Sequence, residues 1–304
     1  MKKILDAKDK QLDAKQQIKK MIKVNSISGG KTSAYIAANY KADYNIFALV
    51  RTNDKKCIYP DAKIRQIVSD KIGYEFIGTL EMDDIIHTIL DLEQYIGQKI
   101  NWISSKYTFE DVTKLPQNNV LPSPLRRYCT AELKQKPIFE WWQNNFNEIV
   151  EMRIGFRANE MRRAKNMIDK LDENGYKTEK HIIGKKNNRN KWASTAWQKP
   201  VFPLIKDNIY KDTIENYWQS KPVRFATLNN CVGCFHRNEI LLNKLWKTHT
   251  NKMQAFSNLE KNRRYPNDTL KAKPITYEQI KNFKPQSEIS FDDFTECDSG
   301  HCGL

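Results

Sequence analysis

One stretch constrains this chain more than any other: Val24-Asn25-Ser26-Ile27-Ser28-Gly29-Gly30-Lys31-Thr32-Ser33. A short run suited to a buried strand passes through a serine and two glycines into Thr32 to Tyr40, a good start for a helix. A strand that becomes a helix through Ser-Gly-Gly leaves backbone N–H groups unpaired at the helix N-terminus, where they can hold a phosphate. Glycine matters there because a side chain would block the anion. The spacing is not the Gly-x-x-x-x-Gly-Lys-Ser/Thr of a Walker loop.

The segments that follow alternate in period. Asn45 to Arg51 has the apolar run of a short buried strand. Asp61 to Ile72 predicts a helix with Ile64, Ile67, Val68 and Ile72 on one face, and Tyr74 to Ile77 a further strand. Strand, helix, strand, helix, strand is the pattern of an α/β fold with a doubly wound parallel sheet, whose ligands sit beyond the carboxyl ends of the strands. Asp83 to Ile96 predicts a helix, and Trp102 to Pro124 a loop-rich insertion. Thr130 onward predicts a helix with Ile138, Trp141, Trp142 and Phe146 as core, and Glu148 to Ile154 a central strand. Residues 165–195 are polar, rich in Lys and Asn, and without periodicity, which predicts an exposed loop or flap. Pro200 to Ile205 predicts a strand-like segment, and Asp212 to Trp218 and Leu241 to Met253 two helices. Three parts result: a charged arm over 1–20, an α/β domain over 21–225, and a helical, loop-rich, cysteine-containing extension over 226–304.

Charge bears on partners. The chain carries 51 basic and 36 acidic residues, a net charge of +15. That excess suits either a lysine-rich soluble surface or a polyanionic partner such as tRNA or DNA. No run approaches the roughly 18 apolar residues of a membrane span, and Met1 to Lys20 lacks the apolar segment of a signal peptide. A cytoplasmic protein is expected, in which six cysteines serve metal or redox chemistry rather than disulfides.

A second informative stretch is Gly155-Phe156-Arg157-Ala158-Asn159-Glu160-Met161-Arg162-Arg163. It follows an apolar run and sets Arg157, Glu160 and Arg163 three residues apart, so that Glu160 can orient one arginine while another reaches an anion. A third is the knuckle Cys231-Val232-Gly233-Cys234 followed by Phe235-His236, with Cys129 upstream and Cys297 and Cys302 in the tail. A C-x₂-C with further thiols reads as a zinc or iron–sulfur site, and three sulfurs with one nitrogen suit zinc equally. His87 falls on an apolar helical face and reads as structural; Cys57 reads as a free thiol.

Four pieces in order resemble the phosphoadenosine phosphosulfate (PAPS) reductase-like branch of the PP-loop ATP pyrophosphatase, or adenine nucleotide alpha hydrolase, superfamily. They are Ser28–Ser33; Arg127-Tyr128-Cys129 through Leu133-Lys134 and Pro137; Gly155-Phe156-Arg157 with Glu160 and Arg163; and Pro203-Leu204 with Asp207 before Tyr217. The resemblance implies an adenine nucleotide alpha hydrolase-like fold. It implies a nucleotide site of Ser28, Gly29, Gly30, Lys31, Thr32 and Ser33 with Gly155, Arg157, Glu160 and Arg163, binding ATP or a PAPS-like nucleotide, with Mg²⁺ bridging phosphates. Lys31 would stabilise charge on a leaving pyrophosphate. Thr32 stands where the family has Asp, and offers a metal only a neutral hydroxyl. In the iron–sulfur relatives a Cys-Cys pair at Tyr128-Cys129 joins a later C-x₂-C to hold a [4Fe–4S] cluster. Here Tyr128 leaves Cys129, Cys231 and Cys234, with His236, Cys302, Cys297 or an external ligand as the fourth.

Glu296-Cys297 and Gly300-His301-Cys302 partly match the C-terminal segment with which PAPS reductases attack the sulfonucleotide, which makes Cys297 and Cys302 candidate nucleophiles. The resemblance thus implies an ATP-dependent adenylyl-transferring, sulfurtransferase-type enzyme acting on a substrate such as tRNA or DNA with a sulfur donor. It alternatively implies a thioredoxin-dependent sulfonucleotide reductase, or a non-catalytic nucleotide-sensing or nucleic-acid-binding protein.

Overall fold

Residues 23–27 emerge from the chain as the strand around which the others assemble. The computed structural model describes residues 21–118, 120–271 and 275–284. The arm over 1–20 and the tail residues Cys297, His301 and Cys302 lie outside the described residues. Strand β1 (Lys23–Ile27) leads into helix α1 (Lys31–Asn39), strand β2 (Tyr44–Leu49), helices α2 (Ala62–Ile72) and α3 (Asp84–Ile96), and strand β3 (Ile100–Ser104). Helix α4 (Lys136–Asn145) follows a π-helical turn at Ala131–Gln135 and precedes β4 (Val150–Arg153) and α5 (Met161–Ile168). Then come β5 (Lys177–Lys186), β6 (Arg189–Val201), α6 (Lys211–Gln219), α7 (Glu239–Thr248) and α8 (Thr250–Lys261).

The six strands form one sheet in the order β3-β2-β1-β4-β6-β5, parallel except for the β5–β6 pair. Successive residues of β2 divide between two apolar clusters: Phe47 and Leu49 join one with Ile27 and Trp102, while Ile46 and Ala48 join the other with Val24, Ile103 and Met152. Alternation between two covered faces explains why β2 is buried almost throughout and reads as a continuous apolar run. The six-stranded, mostly parallel sheet with flanking helices is an α/β fold.

The helix ends follow local chemistry. The Asp61 carboxylate accepts hydrogen bonds from the backbone N–H groups of Lys63 and Ile64 at the start of α2, and Gly73 ends that helix in the left-handed region. Trp142 is buried in the core as its spacing predicts, donating from Nε1 to the Glu148 carbonyl, and Trp141 is partly buried. His87 contacts the Tyr59 hydroxyl through Nε2 at 2.9 Å, a structural role. Burial pushes the Cys57 thiol up to about 12.

Four expectations are corrected. Tyr74 to Ile77 is no strand, because Ile100–Ser104 takes the place beside β2 instead. That strand lies partly within the stretch expected to be a loop-rich insertion. Residues 165–195 are not a loop: they hold most of an antiparallel hairpin. Pro200 to Ile205 is not one extended segment, since β6 stops at Val201 and Pro203 opens a helical turn, where its missing N–H is no loss. Leu241 to Met253 spans two helices, broken at His249, whose backbone leaves helical geometry at φ −132° and ψ 49°.

Among the described residues no helix is long and apolar enough to cross a membrane.

Candidate functional site

The strand order reverses between β1 and β4, which are hydrogen-bonded neighbours although chain order carries β2 and β3 to the other side of β1. Crevices beyond the carboxyl ends of strands at such a switch point are where open α/β sheets take ligands. The two segments leaving that point are Ser28–Lys31 after β1 and Ile154–Arg157 after β4, and they touch. A Cβ on Gly155 would lie 3.4 Å from Cγ2 of Thr32 and 3.5 Å from the Ser33 nitrogen.

The loop is closed by Ser33. Its buried hydroxyl donates to the Gly30 carbonyl at 3.0 Å, and receives the Ser28 backbone N–H at 3.0 Å. Ser28 Oγ lies 3.1 Å from Ser33 Oγ. Gly29 adopts φ +82°, where an L side chain is strained, and a Cβ there would fall 2.7 Å from Ile85 Cγ2. Gly30 caps α1 without a side-chain hydrogen bond, and the first turn holds no acidic residue. The positive end of α1 is therefore uncompensated by its own side chains. Lys31 pairs with Glu215 from α6, and its carbonyl accepts from Trp218 Nε1 at 3.0 Å. The predicted loop residues Ser28 through Ser33 are thus gathered with Gly155 at one place in the fold.

Arg157, Glu160 and Arg163 are joined to one another. Glu160 Oε2 accepts from the Arg157 backbone N–H at 2.8 Å and from its Nε at 3.1 Å, and Oε1 pairs with Arg163. Burial works to raise the Glu160 pKa, but the Arg157 backbone bond and the two guanidinium charges outweigh it and hold the carboxyl below its usual range. Glu160 therefore engages both arginines, where the spacing had suggested one. The Arg163 guanidinium also lies 4.3 Å from the centre of the Phe156 ring.

Beside the loop lies a cavity of about 50 Å³ whose walls include Cys129, Cys231, Cys234 and His236, together with Glu81 and Lys134. Cys129 thus shares one space with three residues that follow it about 100 positions later in the chain. Cys129 comes from the helical turn before α4. The other three come from the knuckle, where Cys234 N–H donates to the Cys231 carbonyl at 3.1 Å and Arg237 N–H to the Cys234 carbonyl at 3.0 Å. Buried Tyr277 donates to the Gly233 carbonyl at 2.8 Å, and Lys271 Nζ to the Phe235 and Arg237 carbonyls at 3.1 and 2.6 Å. Gly233 is required: a Cβ would lie 2.2 Å from Cδ2 of Phe256. Burial raises the Cys129 thiol to about 11 and pushes Cys231 well above the ordinary thiol value. Tyr128 donates its hydroxyl to the Val120 carbonyl at 2.8 Å.

The thiols and imidazole have the donor chemistry of a soft-metal site. Among the described residues, however, no group of three or more His, Cys, Asp or Glu side chains is drawn together in an arrangement that could hold a metal ion.

Loop and cavity are linked by two adjacent residues that sequence reasoning missed. Asn229 presses on the loop, since a Cβ on Gly30 would lie 2.5 Å from its Nδ2, while Asn230 lines the cavity. Asn230 turns in the left-handed region at φ 68°, which asparagine tolerates. Glu81, 1% exposed, was also missed; it pairs at 2.7 Å on the cavity wall with Lys134, a residue of the second motif. A carboxylate in the otherwise apolar run before α3 was the available signal. Compared with family models, with curated proteins and with solved structures, the chain matches none.

Proposed function

We propose that this chain is a PAPS reductase-like PP-loop enzyme with a doubly wound, adenine nucleotide alpha hydrolase-like fold. It binds ATP or a related adenine nucleotide at Ser28–Ser33 and activates a substrate by adenylation for attack by a sulfur or other nucleophile. The observation that carries the reading is the meeting of three segments at the sheet's switch point: the Ser-Gly-Gly loop, Gly155 and Asn229.

The chemistry asked of these residues is electrostatic. A substrate oxygen attacks the α-phosphorus, the bond to the β-phosphate oxygen breaks, and pyrophosphate leaves with the electron pair. A nucleophile then displaces AMP. The N–H groups at the start of α1 and the Lys31 ammonium hold the charge that grows on the departing phosphates. Lys31 reaches a phosphate by exchanging its Glu215 partner for it.

Titration calorimetry of the full chain with ATP, AMP and PAPS tests the nucleotide site. Binding of at least one of them, lost in Lys31→Ala and in Ser33→Ala, is expected. Failure of all three to bind sinks the reading. Turnover is read as AMP and pyrophosphate released from ATP and Mg²⁺ in the presence of substrate nucleic acid and a sulfur donor. Elemental analysis and a visible spectrum of anaerobically purified protein test whether the chain carries a metal.

A further inference from the structure

The β5–β6 hairpin is longer than the sheet requires. Only Gln198–Val201 of β6 pair with β4, while from Arg189 to Ala196 the strand pairs with β5 alone. At about 3.4 Å per residue the part of β6 that leaves the sheet spans roughly 30 Å. Its end is a two-residue turn, Asn187-Asn188, with φ 49° and 59°, the geometry that matches the natural twist of a hairpin. From Ile182 to Trp192 every residue is exposed, so both faces of this ribbon meet solvent. An isolated two-stranded ribbon buries little and stabilises itself poorly. Its length therefore calls for an explanation other than folding.

Its chemistry is one-sided. Residues 180–199 include Lys180, Lys185, Lys186, Arg189, Lys191 and Lys199 and no carboxylate. The register distributes these charges over both faces. Lys186 opposes Arg189, Lys191 opposes Gly184, and on the other face Lys185 opposes Asn190. Trp192, 60% exposed, stands opposite the exposed Ile182. Asparagines alternate with the cations around the tip, and offer amide donors and acceptors for base edges or phosphates.

We propose that the β5–β6 ribbon is a binding arm for double-stranded DNA, entering the major groove. That groove, about 12 Å wide, admits a two-stranded ribbon and places phosphates on both of its sides. A ribbon basic on both faces fits this setting. The major groove of an RNA duplex is too narrow and deep for it. The arm is a second site, separate in its residues from the nucleotide loop, and it does not rest on the nucleotide reading. DNA binding is therefore measured without nucleotide, and nucleotide binding without DNA.

The test is fluorescence anisotropy with a labelled 30-base-pair duplex of mixed sequence, titrated with the full chain across a salt series. Replacing Lys185, Lys186, Arg189 and Lys191 by alanine is expected to weaken binding at least tenfold at low salt. Each lost phosphate contact makes the log–log salt slope shallower by about 0.9, so the quadruple variant loses about 3.6 in slope if all four contact phosphates. Nucleotide affinity is expected to stay unchanged. Where that variant fails to fold, as read by circular dichroism, replacing residues 183–191 with Asn-Gly removes the arm while keeping a two-residue turn. Unaltered duplex affinity in the folded variant overturns the proposal, as does tighter binding of single-stranded or duplex RNA than of DNA by the unaltered chain. A Trp192→Ala variant that converts a dimer to a monomer with DNA binding intact also overturns it, by assigning the ribbon to self-association.

Discussion

A Cβ placed on Gly30 would lie 2.5 Å from Nδ2 of Asn229, so the residue that caps α1 and a residue two positions before the cysteine knuckle occupy adjoining space. At φ −97° the Gly30 backbone accepts any residue, and what opposes a side chain is the tip of the Asn229 amide. Gly30→Ala is therefore expected to shift Asn229 with little loss of stability, and to lower nucleotide affinity. Asn229→Gly should restore room for it. A double-mutant cycle read by calorimetry checks this, with a coupling energy of about 0.5 kcal/mol or more expected for groups in contact.

Gly29 is different, because conformation and space both exclude a side chain. Its φ is +82°, and an added methyl carbon would lie 2.7 Å from Ile85 Cγ2. Gly29→Ala is expected to destabilise the chain by about 2–3 kcal/mol. Urea unfolding of the two glycine variants side by side gives the comparison, and equal midpoints would contradict it.

On the proposed reading, Glu215 would compete with a nucleotide phosphate for Lys31, with which it pairs. Both side chains are about one-third exposed, so their pair contributes only about 0.2–1 kcal/mol. Glu215→Gln frees the ammonium and is expected to tighten nucleotide binding by about two- to fivefold. A weaker affinity would place Glu215 among the groups that recognise the ligand.

Glu160 supplies a pH dependence of defined sign. Its folded pKa is held below the unfolded value. Its ionised form therefore contributes stability that is complete above the unfolded pKa, roughly 4.3. That contribution is lost as pH falls through the folded pKa. Glu160→Gln should lower the melting temperature near pH 7, with the difference from the unaltered chain closing below about pH 4. A difference that persists unchanged at pH 3 would assign the loss to packing.

Gly233 transmits a packing change to the thiol cavity. Phe256 is buried against Phe109 and Tyr277, ring centres 5.4 and 6.0 Å away, so yielding to a Cβ disturbs both contacts. Gly233→Ala is expected to cost about 1–3 kcal/mol and to displace the knuckle, so that Cys231 and Cys234 react faster with an aromatic disulfide. Unchanged melting temperature and thiol reactivity would show that the knuckle adjusts without penalty.

The candidate site was more legible in the sequence than the sheet was. Ser28–Ser33 could be singled out because a Ser-Gly-Gly turn, common by itself, falls there between an apolar strand-like run and a helix start, and the thiols because C-x₂-C is a compact signal. Asn229 could not, since its importance comes from a contact with Gly30 some 200 residues away in the chain. Strand β3 was hidden because Asn101 and Ser104 interrupt its apolar character. Both are partly buried and donate from their side chains to carbonyls of β2, Asn45 and Leu49. The hairpin was missed for the opposite reason. Alternation marks a strand only when one face is covered, and residues 182–192 have no covered face.

An edge strand offers a row of unpaired backbone groups to any passing chain, and β5 is the outermost strand of the sheet, ten residues long. Lys180, Lys185 and Lys186 lie along it, and an incoming strand would have to bring their charges together with its own. Their charge opposes the addition of a further strand at this edge, where Ile182 and Ile183 are exposed between them. Neutralising that edge leaves a flat, partly apolar template, and concentrated solutions of such a protein gain a route to self-assembly that the native charge closes.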